Sequence, residues 1–190
     1  VQHRLFHVLF PSATRHFEAG NYTDRLIRQA LANTDTRIRN DQRVTPAFLY
    51  AALLWPALQQ EQQREQNNGL HPHAALQKVI PKVIGEQTRL IGIPRRFTLP
   101  MQEIWELQWQ LPRRQGGRAD KLLEHPRFRA AYDFLLLREQ AGEELQELRS
   151  WWTQYQNASL EEREQLRQNL QKNESGVTRN NRRRRNNRSR

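Results

Sequence analysis

The chain has 190 residues and a formal net charge of +11, with 31 Lys and Arg against 20 Asp and Glu. It holds no cysteine, which excludes disulfides, thiolate metal sites and a cysteine nucleophile. The apolar share of 36% is below the roughly 45–50% of an average globular protein, so part of the chain is expected outside the core. The excess of positive charge favours an anionic partner, of which nucleic acid is the commonest.

Apolar positions recur at helical spacing along most of the chain and strand-like alternation is nearly absent, which predicts an all-α fold. Leu5, Phe6, Leu9 and Phe10 mark a first helix stopped by Pro11, and Leu26, Ile27, Ala30 and Leu31 lie on one face of a second. Thr45 reads as an N-cap with Pro46 at the first helical position, where no N–H is needed. It opens "PAFLYAALLWPALQQEQQREQNNG", a helix that leaves the core for solvent and is expected to kink at Pro56. "HAALQKVIPKVIGEQTRLIG" is a further helical pattern interrupted by Pro81 and ended by Gly92. "IPRRFTLP" reads as an extended connector, "MQEIWELQWQL" as a helix and "PRRQGGR" as a basic loop.

Pro126 is expected at the start of a helix that runs to about Gly142. On it Phe128, Ala131, Tyr132 and Leu135 form one apolar face and Ala130, Phe134 and Leu137 another, which predicts burial on two sides. "EELQELRSWWTQY" follows, and Ser159 with Glu162 three residues on forms a capping box before a charged helix. From residue 173 there are seven arginines, one glutamate and little that is apolar, so an irregular helical body should end in a disordered Arg-rich tail. That tail carries +6 (seven minus one) of the +11. The expected division is a helical body over 1–92, a C-terminal helical region over 93–172 and the tail over 173–190.

Catalytic patterns are absent. The aspartates Asp24, Asp35, Asp41, Asp120 and Asp133 form no D-x-D pair, and no serine stands in a nucleophile elbow. His3 with His7 and His71 with His73 lack a third ligand, so they read as surface histidines and no metal site is expected. The longest apolar run, 47–55, is far short of the ~20 residues of a membrane span. The first residue is valine, and the sequence is expected to be a soluble, cytoplasmic, C-terminal piece of a longer chain.

The basic residues cluster. Arg37, Arg39 and Arg43 lie interleaved with acids in "NTDTRIRNDQRV", Arg95 and Arg96 in the connector, Arg113, Arg114, Arg118 and Lys121 around the glycine loop, and Arg127 and Arg129 just beyond it. Taken singly, each reads as a solvated helix end or an ion pair, such as Arg129 with Asp133 at i, i+4. Taken together with the tail they point to anion binding. Trp105, Trp109, Trp151, Trp152, Phe128, Tyr132, Phe134 and Tyr155 could stack on unpaired bases, but at helical spacing they read as core.

"NTDTRIRNDQRVTPAFLYAALLW", "IPRRFTLPMQEIWELQ" and "RRQGGRADKLLEHPRFRAAYDFLLLR", then "WW" and an arginine-rich end, resemble the C-terminal half of the bacterial poly(A) polymerases, relatives of the class II tRNA nucleotidyltransferases. The resemblance covers residues 1–172 in order and the tail by composition only. It implies a catalytic head upstream, in which a Gly-Ser motif and a D-x-D pair hold Mg²⁺ ions for attack on ATP and AMP is added to RNA 3′ ends. Those motifs are not in this sequence, so no catalytic residue is carried over and the chain alone is expected to be inactive. The resemblance further implies a helical RNA-holding body. Its candidate contacts are Arg95, Arg96, Arg113, Arg114, Arg118, Lys121, Arg127 and Arg129, with Arg182, Arg183, Arg184 and Arg185 in the tail. Expected partners are single-stranded RNA 3′ ends, the head of the same polypeptide and the RNA-decay machinery. Two rival readings are a helical RNA adaptor without a head and a fragment of a CCA-adding enzyme.

Overall fold

The computed structural model describes residues 8–11 and 18–171. Within them the regular structure is helical, with no strand, as the periodicity predicts. The helices are α1 (Tyr22–Arg39), α2 (Pro46–Asn67), α3 (Pro72–Ile91), α4 (Arg95–Gln110), α5 (Arg118–Leu123), α6 (Phe128–Gln140) and α7 (Gln146–Asn157). A further helix, α8, covers 160–171. Leu5, Phe6, the His3/His7 pair and the whole tail from residue 173 lie outside the described residues.

Local chemistry sets most helix ends. Asn21 caps α1 by accepting the Asp24 N–H at 2.9 Å, and Asp24 accepts from the Gly20 N–H at 2.8 Å. Leu26, Ile27 and Ala30 of α1 are buried, but Leu31 is 42% exposed, because at about 100° per residue it lies roughly a quarter-turn off the face those three share. Pro46 occupies the first turn of α2 as expected, whereas the Thr45 side chain makes no capping bond. Gly92 ends α3 in the left-handed conformation at φ 63°, which glycine adopts without steric cost. The capping box at α8 is formed, with the Ser159 N–H donating to Glu162 at 2.7 Å and the Glu162 N–H to Ser159 Oγ at 3.3 Å.

Three prolines sit inside helices. α2 runs through Pro56 and α3 through Pro81 without a break in the helix. The lost hydrogen bond costs about 3 kcal/mol, and burial of Leu54, Leu58, Val79 and Ile80 around these positions offsets it. Pro100 lies within α4, so "IPRRFTLP" is not an extended connector: Pro94 is the N-cap, and helix begins at Arg95. The Phe97 N–H donates to the Pro94 carbonyl at 2.9 Å and the Phe97 ring packs on Tyr50, which winds this segment onto α2. A second shift is at α6, which starts at Phe128 rather than Pro126. His125 takes the Arg127 N–H on Nδ1 at 3.0 Å and the Phe128 N–H on its carbonyl at 2.8 Å, so Pro126 belongs to the preceding turn.

Two apolar clusters meet at α6. The first joins α1, α2, α3 and α4 through Leu26, Leu54, Leu58, Ile80, Ile104 and Trp105, and it takes Phe134 and Leu137 from α6. The second, formed with Leu107, Leu111, Leu122, Trp152 and Tyr155, takes Phe128, Ala131, Tyr132 and Leu135. The two faces predicted for this helix are thus buried against different layers. The expected division at residue 92 falls inside the first cluster, which includes Ile93 and Met101. Buried indole N–H groups tie the layers to backbone: Trp105 Nε1 donates to the Ala51 carbonyl and Trp152 Nε1 to the Leu111 carbonyl, both at 3.1 Å.

Candidate nucleic-acid interface

Between the last turns of α1 and the first turns of α6 lies a cleft of about 520 Å³. Arg37 and Arg43 line one side and Arg127 and Arg129 the other; Phe48, Leu49, Ile104 and Ala130 provide apolar lining. Asp133 is the only acid lining it, so the lining carries +3 (four arginines minus one aspartate).

The α1–α2 turn brings the first pair together. Asp41 takes the left-handed conformation at φ 51°, and the Gln42 N–H returns to the Arg37 carbonyl at 2.8 Å. Arg37 Nε then donates to the Arg43 carbonyl at 3.1 Å. Across the cleft, Arg127 pairs with Glu103 at 3.0 Å and Arg129 with Asp133 at 3.1 Å. Arg127 is 45% and Arg129 74% exposed, and such surface pairs are worth only ~0–1 kcal/mol. A phosphate offering two oxygens to a guanidinium fork can therefore displace either carboxylate. Positive walls and an apolar lining suit a ligand that is anionic at one end and flat and apolar at the other, as a nucleotide is.

The other predicted arginines are dispersed. Arg95 and Arg96 stand exposed in the first turn of α4, Arg96 with its guanidinium 4.7 Å from the Phe97 ring centre. Arg118 and Lys121 are exposed on α5 and make no ion pair among the described residues. Arg113 lies over Trp109, 3.3 Å from the ring centre, and donates to the Trp109 carbonyl. Burial, and then the Arg118 charge, lower its pKa. Arg114 points inward: it is 7% exposed, bonded to Glu147 at 2.5 Å and set over Trp151. Its place beside the second core cluster makes it a strut between the basic loop and α7, not a surface contact. Arg182, Arg183, Arg184 and Arg185 lie outside the described residues.

A family model described as the polymerase A arginine-rich C-terminus matches residues 68–190. The chain belongs to this family. Among relatives of this polymerase A arginine-rich C-terminus, poly(A) polymerase I of Escherichia coli O157:H7 is 49% identical over 160 residues, 82% of this chain and 34% of the relative. Poly(A) polymerase I of Salmonella typhimurium strain LT2 is 47% identical over the same shares. That of Haemophilus influenzae is 38% identical over 175 residues, 90% of this chain and 39% of the relative. The chain thus spans somewhat over a third of the length of these curated relatives, and the resemblance noted in its sequence is borne out.

In this polymerase A arginine-rich C-terminus, the sequence put Arg127 and Arg129 among the candidate contacts, while Arg37 and Arg43 stood only among the basic clusters. The signal for the second pair was weak, since Asp35, Asp41 and neighbouring asparagines dilute the charge locally. Only the packing of α1 beside α6 sets the two pairs around one cleft.

Proposed function

We propose that this chain is the RNA-holding C-terminal part of a bacterial poly(A) polymerase, an enzyme that adds AMP from ATP to RNA 3′ ends without a template. The observation that carries the reading is the arginine-lined cleft, found on a chain of this family. Its guanidinium groups offer a phosphodiester backbone four forked donors, and its apolar lining offers a base a surface to rest on. Among the described residues no three His, Cys, Asp or Glu side chains are grouped to hold a metal. In this reading Mg²⁺ and ATP belong to a catalytic head on the same polypeptide, in the cytoplasm, and the part of this chain is to bind and orient RNA. The exposed cations Arg95, Arg96, Arg118 and Lys121 lie outside the cleft lining and add to the positive charge of the surface.

The test is fluorescence anisotropy of the whole chain with labelled oligo(A) across a salt series. Binding should fall linearly in log–log form with a slope of about −0.7 per phosphate contact. The double variant Arg37→Ala/Arg43→Ala should weaken binding and flatten that slope by one to two contacts while circular dichroism stays unchanged. Binding indifferent to salt, or a double variant that binds like the parent, would sink the reading.

A further inference from the structure

Eight aromatic side chains read as core from their spacing, and seven of them are buried; Trp109 is the exception. It sits half-buried at the C-terminal end of α4, beside the start of α3. There "HPH" at 71–73 sets two imidazoles around the helix entry, His71 as the N-cap and His73 in the first turn. The exposed His73 ring stacks on Trp109, with centroids 5.6 Å apart and planes 25° apart. His71 meets the same indole edge-on at 6.0 Å. The guanidinium of Arg113 lies 3.3 Å from the indole centre, fixed by its bond to the Trp109 carbonyl.

We propose that His73, Trp109 and Arg113 form a stacking step for one unpaired base of a single-stranded RNA, with Arg113 beside the adjoining phosphate. The proposal rests on the RNA-holding role above and names a subsite outside the cleft, since none of these residues lines it. Three facts support the choice of ligand. The His73 ring already presents flat π-surface in a stack, and its residue is exposed. The platform is preorganised, because the indole, imidazole and guanidinium hold one another in place before any ligand arrives. Arg113 makes no ion pair among the described residues, and Arg118 stands exposed just beyond it in the chain, equally without one. Flat rings beside unneutralised guanidinium groups match a base with its phosphate, the pairing that single-strand binders use.

The test compares two labelled strands of equal length and charge, oligo(A) and an abasic ribose-phosphate oligomer, binding to the whole chain. His73→Ala should lower affinity for oligo(A) about five- to tenfold, the lower part of the range for losing one stacked base, and leave the abasic strand unaffected. His73→Phe, which keeps a flat ring, should restore oligo(A) binding. Equal losses on both strands would mean that the site answers to charge alone and would overturn the stacking step. So would a His73→Ala variant that binds oligo(A) like the parent. In either case salt-dependent binding of both strands by the parent leaves the RNA-holding role standing. A parent chain that binds neither strand overturns that role and the stacking step together.

Discussion

Arg138 grips Glu143 with a fork, its Nε on one carboxylate oxygen at 2.9 Å and its Nη2 on the other at 2.5 Å. The third arm, Nη1, reaches Gln108 of α4 at 3.0 Å, and the guanidinium lies 4.8 Å from the ring centre of Trp55 on α2. The Tyr22 hydroxyl of α1 donates to Glu143 as well. One ion pair thus gathers α1, α2, α4 and the end of α6. Next to it, Gly142 at φ 109° leaves room for the Arg25 guanidinium, whose Nε donates to the Ala141 carbonyl at 2.7 Å.

The pair makes the fold sensitive to acid. Burial pulls the Glu143 pKa upward, but the Arg138 hydrogen bonds and charge overbalance it, so the net shift is downward. A carboxyl with a depressed folded pKa contributes stability above its unfolded value, about 4.3, and loses it as pH falls through the folded value. Glu143→Gln should cost about 2 kcal/mol at pH 7, measured by urea unfolding. The gap between variant and parent should begin to narrow below about pH 4 and close only as pH falls through the lower folded value; a gap that stays constant down to pH 3 counts against the assignment. Burial, then Glu143, raises the Tyr22 pKa, so Tyr22 stays protonated and donating throughout that range.

Arg114 and Arg118 should separate structure from binding. Arg114→Ala removes a buried guanidinium stacked on Trp151 and should lower stability by about 1–3 kcal/mol, read from chemical denaturation. Arg118→Ala removes an exposed side chain with no ion pair among the described residues. Its unfolding midpoint should match the parent, and any defect should appear only in RNA affinity. The reverse pattern would show that the two neighbours have been given each other's roles.

Asp120 ties α8 down. It accepts from the Tyr155 hydroxyl at 2.6 Å and from Arg167, while Arg163 donates to the Tyr155 carbonyl at 3.0 Å. Burial, then the Asp120 hydrogen bond and charge, push the Tyr155 pKa up to about 12. Asp120→Asn should bring that value down toward the ordinary range, read by ultraviolet titration. It should also speed amide exchange across 160–171, since Leu166, Leu170 and the Arg163 bond to the Tyr155 carbonyl are then left to hold the helix. Unchanged exchange would show that these contacts suffice.

Removing residues 173–190 deletes seven arginines and one glutamate, +6 of the total charge. RNA affinity should drop and the salt slope flatten, while the absolute helical signal stays that of the parent. A large fall in helix signal would contradict the disorder expected of this composition.

Much of this architecture was legible along the chain. The two apolar faces of α6, the Ser159–Glu162 capping box and the end of the buried stretch of α2 at Leu58 all follow from spacing and side-chain chemistry within a few residues. The polar half of α2 stays beside α3 through the Glu61–Lys82 and Glu65–Lys78 pairs. Pro100 misled because proline near a helix start signals a boundary, and only contact with α2 winds that segment. Arg114 looked like its neighbours because sequence records a charge but not the direction in which a loop turns it. Trp109 looked like the other aromatics for the same reason.

The sequence by itself determined the helical class, the helix periodicity and the excess of positive charge, because these depend on residue type and short-range order. The tertiary structure alone decided which arginines act together. Arg37 and Arg129 are far apart in the chain, and they share a cleft because α1 and α6 pack on the same apolar cluster. Helix periodicity specifies which face turns inward, but which exposed faces become neighbours is settled only when the helices close on a common core.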